Sequence, residues 1–228
     1  MDQLLTIPFL EGLFPETIRD YILPRGKITE YGKKAPIFMA QDRVDHISLI
    51  LRGQVNLMYL LPNDVCSLIG KLKEGQALGC ELVCTNTRLS PYYAIAAAPC
   101  SLFSFPAELI LEPGHLPEGE RLKLQSRLLR LLSQEQVKKE YHLAILATNK
   151  LRERILIYLN MQAARRKTNT FEIPFNREEM ALFLRVNRSA LSHELSLLKR
   201  EGIIDFQNNR FTVLQPADRD AIMSDYLL

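Results

Sequence analysis

The chain predicts an α+β protein in three parts: an N-terminal double-stranded β-roll of the jelly-roll kind, one long helix, and a C-terminal winged helix-turn-helix. Three observations carry that prediction. Residues 25–105 hold short apolar or alternating runs separated by turn residues. Residues 118–147 run without proline, and without glycine after Gly119. Residues 176–214 give two short helical patterns followed at once by a hairpin pattern. The parts divide at 1–116, 117–147 and 148–228.

Size and composition agree with a globular chain. With 228 residues, 47% hydrophobic and 24% charged, it can bury one large core or two modest ones. No apolar run approaches the roughly 18 residues of a membrane span, so no membrane partner is expected. The start, from Met1 to Pro8, lacks the basic region and small-residue cleavage site of a secretory leader. Four cysteines without a dense framework suit a reducing compartment, and a cytoplasmic location is expected. The net charge of +3 is unevenly placed. Residues 1–149 carry 16 basic against 16 acidic residues, whereas 150–214 carry 12 against 7 and 215–228 carry 1 against 3. Positive charge therefore collects around the helix pair, as binding to a polyanion requires.

In chain order, residues 3–23 read as one or two short helices lidding the domain that follows, with Pro15 in a first helical turn. The strand candidates are Ile28–Tyr31, Ala35–Met39, His46–Leu51, Gln54–Leu61, Val65–Lys71, Tyr92–Ala97 and Ser101–Phe105. Gly32, Gly53, Pro62-Asn63-Asp64, Gly75, Gly79 and Pro99 punctuate them. A short helical piece, 106–111, precedes the break at Pro113 and Pro117. The long helix from Glu118 to Ala147 spans about 45 Å, and its leucines cover more surface than one neighbour can bury. They imply packing on the roll on one side and on a second copy of the chain on the other, strongest in the first half because Glu135 and Lys138 interrupt the seam. A further helix, Lys150–Ala164, leads through Arg165-Arg166-Lys167 to a linker before Phe171.

Asn176 caps the first helix of the pair, with Glu179 completing a capping box, and Asn187 caps the second. At 100° per residue from Arg188, the positions Arg188, Ser189, Ser192, His193, Ser196, Lys199 and Arg200 fall within roughly 0–140°. Ala190, Leu191, Leu195, Leu197 and Leu198 fill the opposite arc, and Glu194 falls among them with no partner visible in the sequence. One side packs; the other offers donors and positive charge to the edges of bases in a major groove. Arg185 occupies the turn between the helices, where glycine is common, and predicts a strained backbone. Gly202 to Leu214 reads as two strands around an Asn208-Asn209 turn, with Arg210 beside it within reach of phosphate.

This order resembles the Crp-Fnr superfamily of bacterial transcription regulators over nearly the whole chain. Residues 32–38 and 41–57 look like its roll signature, Gly75 to Leu82 like the turn opening its effector cassette, and Asn187 to Ile204 like its recognition helix. The resemblance implies a dimeric, sequence-specific binder of double-stranded DNA that works with RNA polymerase and takes a small-molecule or redox signal through the roll. It puts base reading on Arg188, Ser189 and His193, the last replacing the usual Arg. Asn176, Arg177, Ser192, Lys199 and Arg210 are the expected backbone contacts. Members that bind cyclic AMP hold its ribose with a Glu, here Glu81, and its phosphate with an Arg-Ser pair about ten residues on. Here Pro91 and Tyr92 stand at those places and Arg88 lies three residues early, so cyclic AMP is not expected as a ligand. Oxygen-sensing members carry an N-terminal cysteine cluster. This chain has no Cys before Cys66, so no iron–sulfur cluster is expected, and no other cofactor is identified.

The candidate effector pocket comprises Glu81, Arg88, Tyr92 and Tyr93, with plain core packing as the alternative. Cys66, Cys80, Cys84 and Cys100 read as small buried hydrophobes, against a thiol switch at Cys80 and Cys84. The histidines at 46, 115, 142 and 193 have no metal-ligand spacing. No nucleophile–base pair or phosphate loop appears, so an enzyme is not expected. The competing class is a ligand- or redox-sensing module whose helix-turn-helix touches protein.

Overall fold

The structure is a computed structural model that describes residues 2–61 and 65–215. The turn expected at Pro62-Asn63-Asp64, the side chain of Cys66 and the tail from 216 lie outside the described residues. The chain divides into two compact units, Met1–Glu135 and Gln136–Leu228.

In the first unit, α1 (Asp2–Leu5) and α2 (Pro15–Thr17) form the lid, and a π turn over Ile18–Ile22 and a 3-10 turn over Leu23–Arg25 continue it. Pro15 occupies the opening of α2, where its missing N–H costs nothing. Eight strands follow: β1 (Lys27–Tyr31), β2 (Pro36–Phe38), β3 (His46–Arg52), β4 (Gln54–Leu61), β5 (Val65–Lys73), β6 (Ala77–Leu78), β7 (Tyr93–Ala96) and β8 (Cys100–Pro106). They pair antiparallel into two four-stranded sheets, in the orders β1-β8-β3-β6 and β2-β7-β4-β5. Strand β6 was not among the expected strands; two residues are too few to show a period. A bulge between Ile50 and Arg52 lets consecutive Leu49, Ile50 and Leu51 all be buried. Gly53 turns β3 into β4 at φ 92°, where a Cβ would strike the Pro99 carbonyl.

Between β6 and β7 lies a short helix, α3 (Cys80–Val83), and after β8 another, α4 (Glu108–Leu111). The lid contributes Leu4, Ile7, Phe9, Leu10 and Leu13 to the core, beside Leu124 and Leu128 of α5 (Glu118–Ala147). Three polar ties fix the start of α5 to its neighbours. The Phe14 N–H donates to Glu120 at 2.8 Å, Arg127 donates to the Phe9 carbonyl at 3.2 Å, and Gln125 to the Ile110 carbonyl at 2.9 Å.

The second unit holds α6 (Leu151–Arg166), β9 (Thr170–Glu172), α7 (Arg177–Phe183), α8 (Arg188–Arg200), β10 (Ile204–Gln207) and β11 (Arg210–Val213). Its sheet runs β10-β11-β9. The third wing strand, β9, begins at Thr170, the last residue of the linker read before Phe171, and was not among the expected strands. Three residues show no alternation, and the strand exists because β11 supplies its ladder, with Thr170 and Thr212 hydroxyls 3.0 Å apart. Leu191, Leu195 and Leu198 are fully buried. Each contributes roughly 1.5–3 kcal/mol relative to an exposed position.

Candidate nucleic-acid interface

The helix pair is built by its caps. The Asn176 side chain accepts from the Glu179 N–H at 2.9 Å while Glu179 accepts from the Asn176 N–H at 2.9 Å, the expected capping box. Asn187 accepts the Ala190 N–H at 2.7 Å and the Ser189 hydroxyl at 2.9 Å. Between the helices Arg185 adopts φ 54°, a left-handed conformation that strains a residue bearing a side chain.

Beneath the pair lies an aromatic stack. His142, in the last turns of α5, lies flat on Phe183 with ring centroids 4.0 Å apart, and its Nε2 is 2.8 Å from the Phe183 carbonyl oxygen. Phe175 and Tyr158 complete the stack at 4.8 Å and 5.4 Å from Phe183. Burial holds the His142 imidazole below the usual histidine range, opposed by its bond to that carbonyl. Arg154 donates to the carbonyls of Thr148 at 2.6 Å and Leu184 at 3.1 Å, closing the ends of α5 and α7. No sequence pattern marked His142 or Arg154, because their partners are backbone carbonyls 30 or more positions away for Phe183 and Leu184.

Arg188, Ser189 and His193 are exposed together along the first turns of α8, with Ser192 half-buried beside them. Asn176 and Arg210 are exposed as well. Arg177, half-buried, and Lys199, exposed, each have partners in the wing. The Arg177 guanidinium lies over the rings of Phe206 and Phe211, 4.9 Å and 5.7 Å from their centroids, and donates to the Asn208 carbonyl at 3.5 Å. Lys199 pairs with Asp205 at 2.5 Å and reaches the Phe206 carbonyl at 3.3 Å. Both cations thus bind the wing to the helix pair. Glu194, without a visible partner in the sequence, is paired with Arg152 of α6 at 2.8 Å.

In the roll, Glu81 and Tyr92 meet directly: the Tyr92 hydroxyl donates to Glu81 Oε1, and the Tyr92 ring packs on Phe38 and Tyr59 at 5.7 Å and 6.3 Å. Arg88 is not brought to them. It pairs with Asp45 at 2.8 Å, and this partner, with Arg43, holds the Asp45 carboxyl below the usual range. Tyr93 is half-buried, on the face of β7 opposite buried Ala94 and Ala96. The Glu81 carboxylate is thus engaged by a buried phenol, and the Arg88 guanidinium by a carboxylate. Cys80 is buried and Cys84 exposed; burial, reinforced by Glu81, pushes both thiols up, which disfavours thiolate chemistry. Among the described residues no helix is long and apolar enough to cross a membrane.

A roll of two antiparallel sheets joined through a long helix to a winged helix-turn-helix defines a class of DNA-binding regulators. Residues 28–112 match the model of the cyclic nucleotide-binding domain, and residues 153–218 that of the Crp-like helix-turn-helix domain. With the two matches in this order, the chain belongs to the Crp-Fnr superfamily of DNA-binding transcription regulators and is not an enzyme. It is similar to the nitrogen fixation regulation protein FixK of Bradyrhizobium diazoefficiens, 22% identical over 202 residues that cover 86% of this chain and 82% of the relative. The structure of FixK2 from Bradyrhizobium japonicum matches with a TM-score of 0.64 at 16% identity, over 87% of this chain and 96% of that one. The c-di-GMP responsive global regulator CLP of Xanthomonas campestris matches with a TM-score of 0.65 at 12% identity, over 84% and 95%. At these identities the solved structures share the fold with this chain and carry no ligand across to it.

Proposed function

We propose that the chain works in the cytoplasm as a homodimer whose two copies of α8 enter successive major grooves, reading bases through Arg188, Ser189 and His193. The observation that carries this reading is the division of α8 into two faces. Leu191, Leu195 and Leu198 are buried, and the residues left exposed on its opening turns are a guanidinium, a hydroxyl and an imidazole, each able to bond a base edge. Asn176, Ser192 and Arg210 contact the backbone, while Arg177 and Lys199 position the wing. Dimer symmetry sets half-site centres about 34 Å apart. Bound beside a promoter, the dimer engages RNA polymerase. The signal reaches the DNA-binding part through the roll, and cyclic AMP is not that signal, a reading supported by the Glu81–Tyr92 bond and the Arg88–Asp45 pair.

The test compares two substitutions on a duplex that the wild-type protein selects from a random pool. Arg188→Ala costs about 1–3 kcal/mol at one base position of each half-site and relaxes preference there. Arg210→Ala weakens binding evenly across sequences and lowers the salt slope by about 1. Unchanged binding in both variants sinks the assignment.

A further inference from the structure

Arg152 stands in the first turn of α6, where the helix dipole disfavours a cation, and Glu201 is the C-cap of α8, where it disfavours an anion. Each is answered by the other. Arg152 Nη2 donates to Glu201 Oε1 at 2.6 Å, while its Nε donates to Glu194 Oε1 at 2.8 Å. The two carboxylates lie seven positions apart, two turns along one face of α8, so a single guanidinium spans them. Its bonds hold the Glu201 carboxyl below the usual range. A lysine could not do the same, because one ammonium cannot serve two separated acceptors in a fixed plane.

Glu194 and Glu201 are the acidic residues of the stretch 188–201, a stretch that must approach a polyanion. Arg152 and Glu201 are 37% and 43% exposed, and Glu194 is 20% exposed. Ion pairs this open contribute little to stability, so stability alone does not account for a three-charge cluster that breaks two local rules. We propose that Arg152 is a positioning residue for DNA binding. It neutralises Glu194 and Glu201 together and fixes the angle of α8 on α6, so that no unbalanced negative charge stands on the packed side of the helix, behind its reading face. The proposal rests on α8 being the DNA-reading helix.

The experiment measures affinity of the full-length protein for the selected duplex by fluorescence anisotropy, with thermal unfolding recorded for every variant. Arg152→Ala weakens binding by about tenfold while Tm stays close to that of the wild type. Adding Glu194→Gln and Glu201→Gln to Arg152→Ala restores affinity to within about threefold. The proposal is overturned if Arg152→Ala binds like the wild type. It is equally overturned if the triple variant stays as weak as Arg152→Ala, because Arg152 would then be touching phosphate itself. Should Arg152→Ala not fold, Arg152→Lys gives the same test. It keeps the charge but serves one carboxylate at a time, so its loss must be recovered by Glu201→Gln or Glu194→Gln, and an unrecovered loss or no loss overturns the proposal. Arg188→Ala runs in parallel: a failure of the base-reading assignment appears in that arm, and a failure of the clamp in the other.

Discussion

Arg185 shows how much a single residue's backbone can be anticipated. An Arg at a turn position where glycine is common predicts a strained backbone, and the strain takes the form of a left-handed φ of 54°. That conformation costs a side-chain-bearing residue about 1–2 kcal/mol, of which glycine's extra unfolded-state freedom returns roughly half. Arg185→Gly is therefore expected to raise stability by about 0.5–1 kcal/mol, read from denaturant midpoints at unchanged m. Lower stability would mean that the Arg185 side chain holds the turn. Arg177 shows what a local pattern leaves out. Its guanidinium lies on Phe206 and Phe211, and burial, then nearby Arg188, lowers its pKa. The wing aromatics lie some thirty positions later in sequence, so no local pattern announces that they will meet Arg177. For the same reason Glu194 was placed correctly on its helix while its partner, Arg152, went unnamed.

Among the elements, those that carry their own periodicity were legible and those that borrow it were not. The long helix, α8, most roll strands and the wing hairpin each declare a repeat of 3.6 or 2 in their own residues. Strand β9 and strand β6 are too short to do so and take their order from neighbours. The caps were equally legible, since Asn at the start of a leucine-rich pattern has a direct mechanism. Asn187→Ala should cost about 1 kcal/mol of stability and loosen the opening turn of α8, where Arg188 and Ser189 stand, so affinity for the selected duplex should fall with it. An unchanged denaturant midpoint would show that the cap is dispensable. The aromatic stack adds a dependence on pH. Because the His142 pKa is lowered in the folded state, the unfolded chain binds the extra proton first as pH falls. The stack's contribution is thus full above about pH 6.5 and declines as pH drops below it. Unfolding midpoints should fall between about pH 7 and pH 5.5, and His142→Gln should remove that part of the slope. An identical slope in the variant would assign the effect elsewhere.

For the molecule as a whole, the order of parts was legible because a strand-rich tract, a proline-free helix and a helix pair with a hairpin are distinct patterns. The meeting of the two compact units, between Glu135 and Gln136, falls inside α5, whereas the sequence marks only where that helix begins and ends. Local pattern reports helix ends; it does not report which turns pack with which core. Along α5, Leu122, Leu129, Val137 and Leu143 are 51%, 67%, 49% and 61% exposed. They fall within an arc of roughly 120°, opposite buried Leu124 and Leu128. A second copy covering this stripe is the arrangement that the proposed dimer requires. Leu129→Glu should convert dimer to monomer in sedimentation and weaken binding to a two-half-site duplex by at least about a hundredfold, since the second half-site is then no longer tethered. A variant that remains dimeric would move the interface elsewhere.

The two-faced build of α8 has a consequence for how such a protein changes over generations. Leu191, Leu195 and Leu198 anchor the helix without touching the outer arc, and Arg188 and His193 point outward without supporting the core. Substitution at these two positions alters preference while leaving folding nearly untouched, because surface changes away from caps and cores shift stability by only about 0.5 kcal/mol. Ser189, bonded to the capping Asn187, is the exception, since its exchange disturbs the cap as well. A duplicated copy can therefore drift to a new operator through Arg188 and His193 first, with Ser189 the slowest of the three to move.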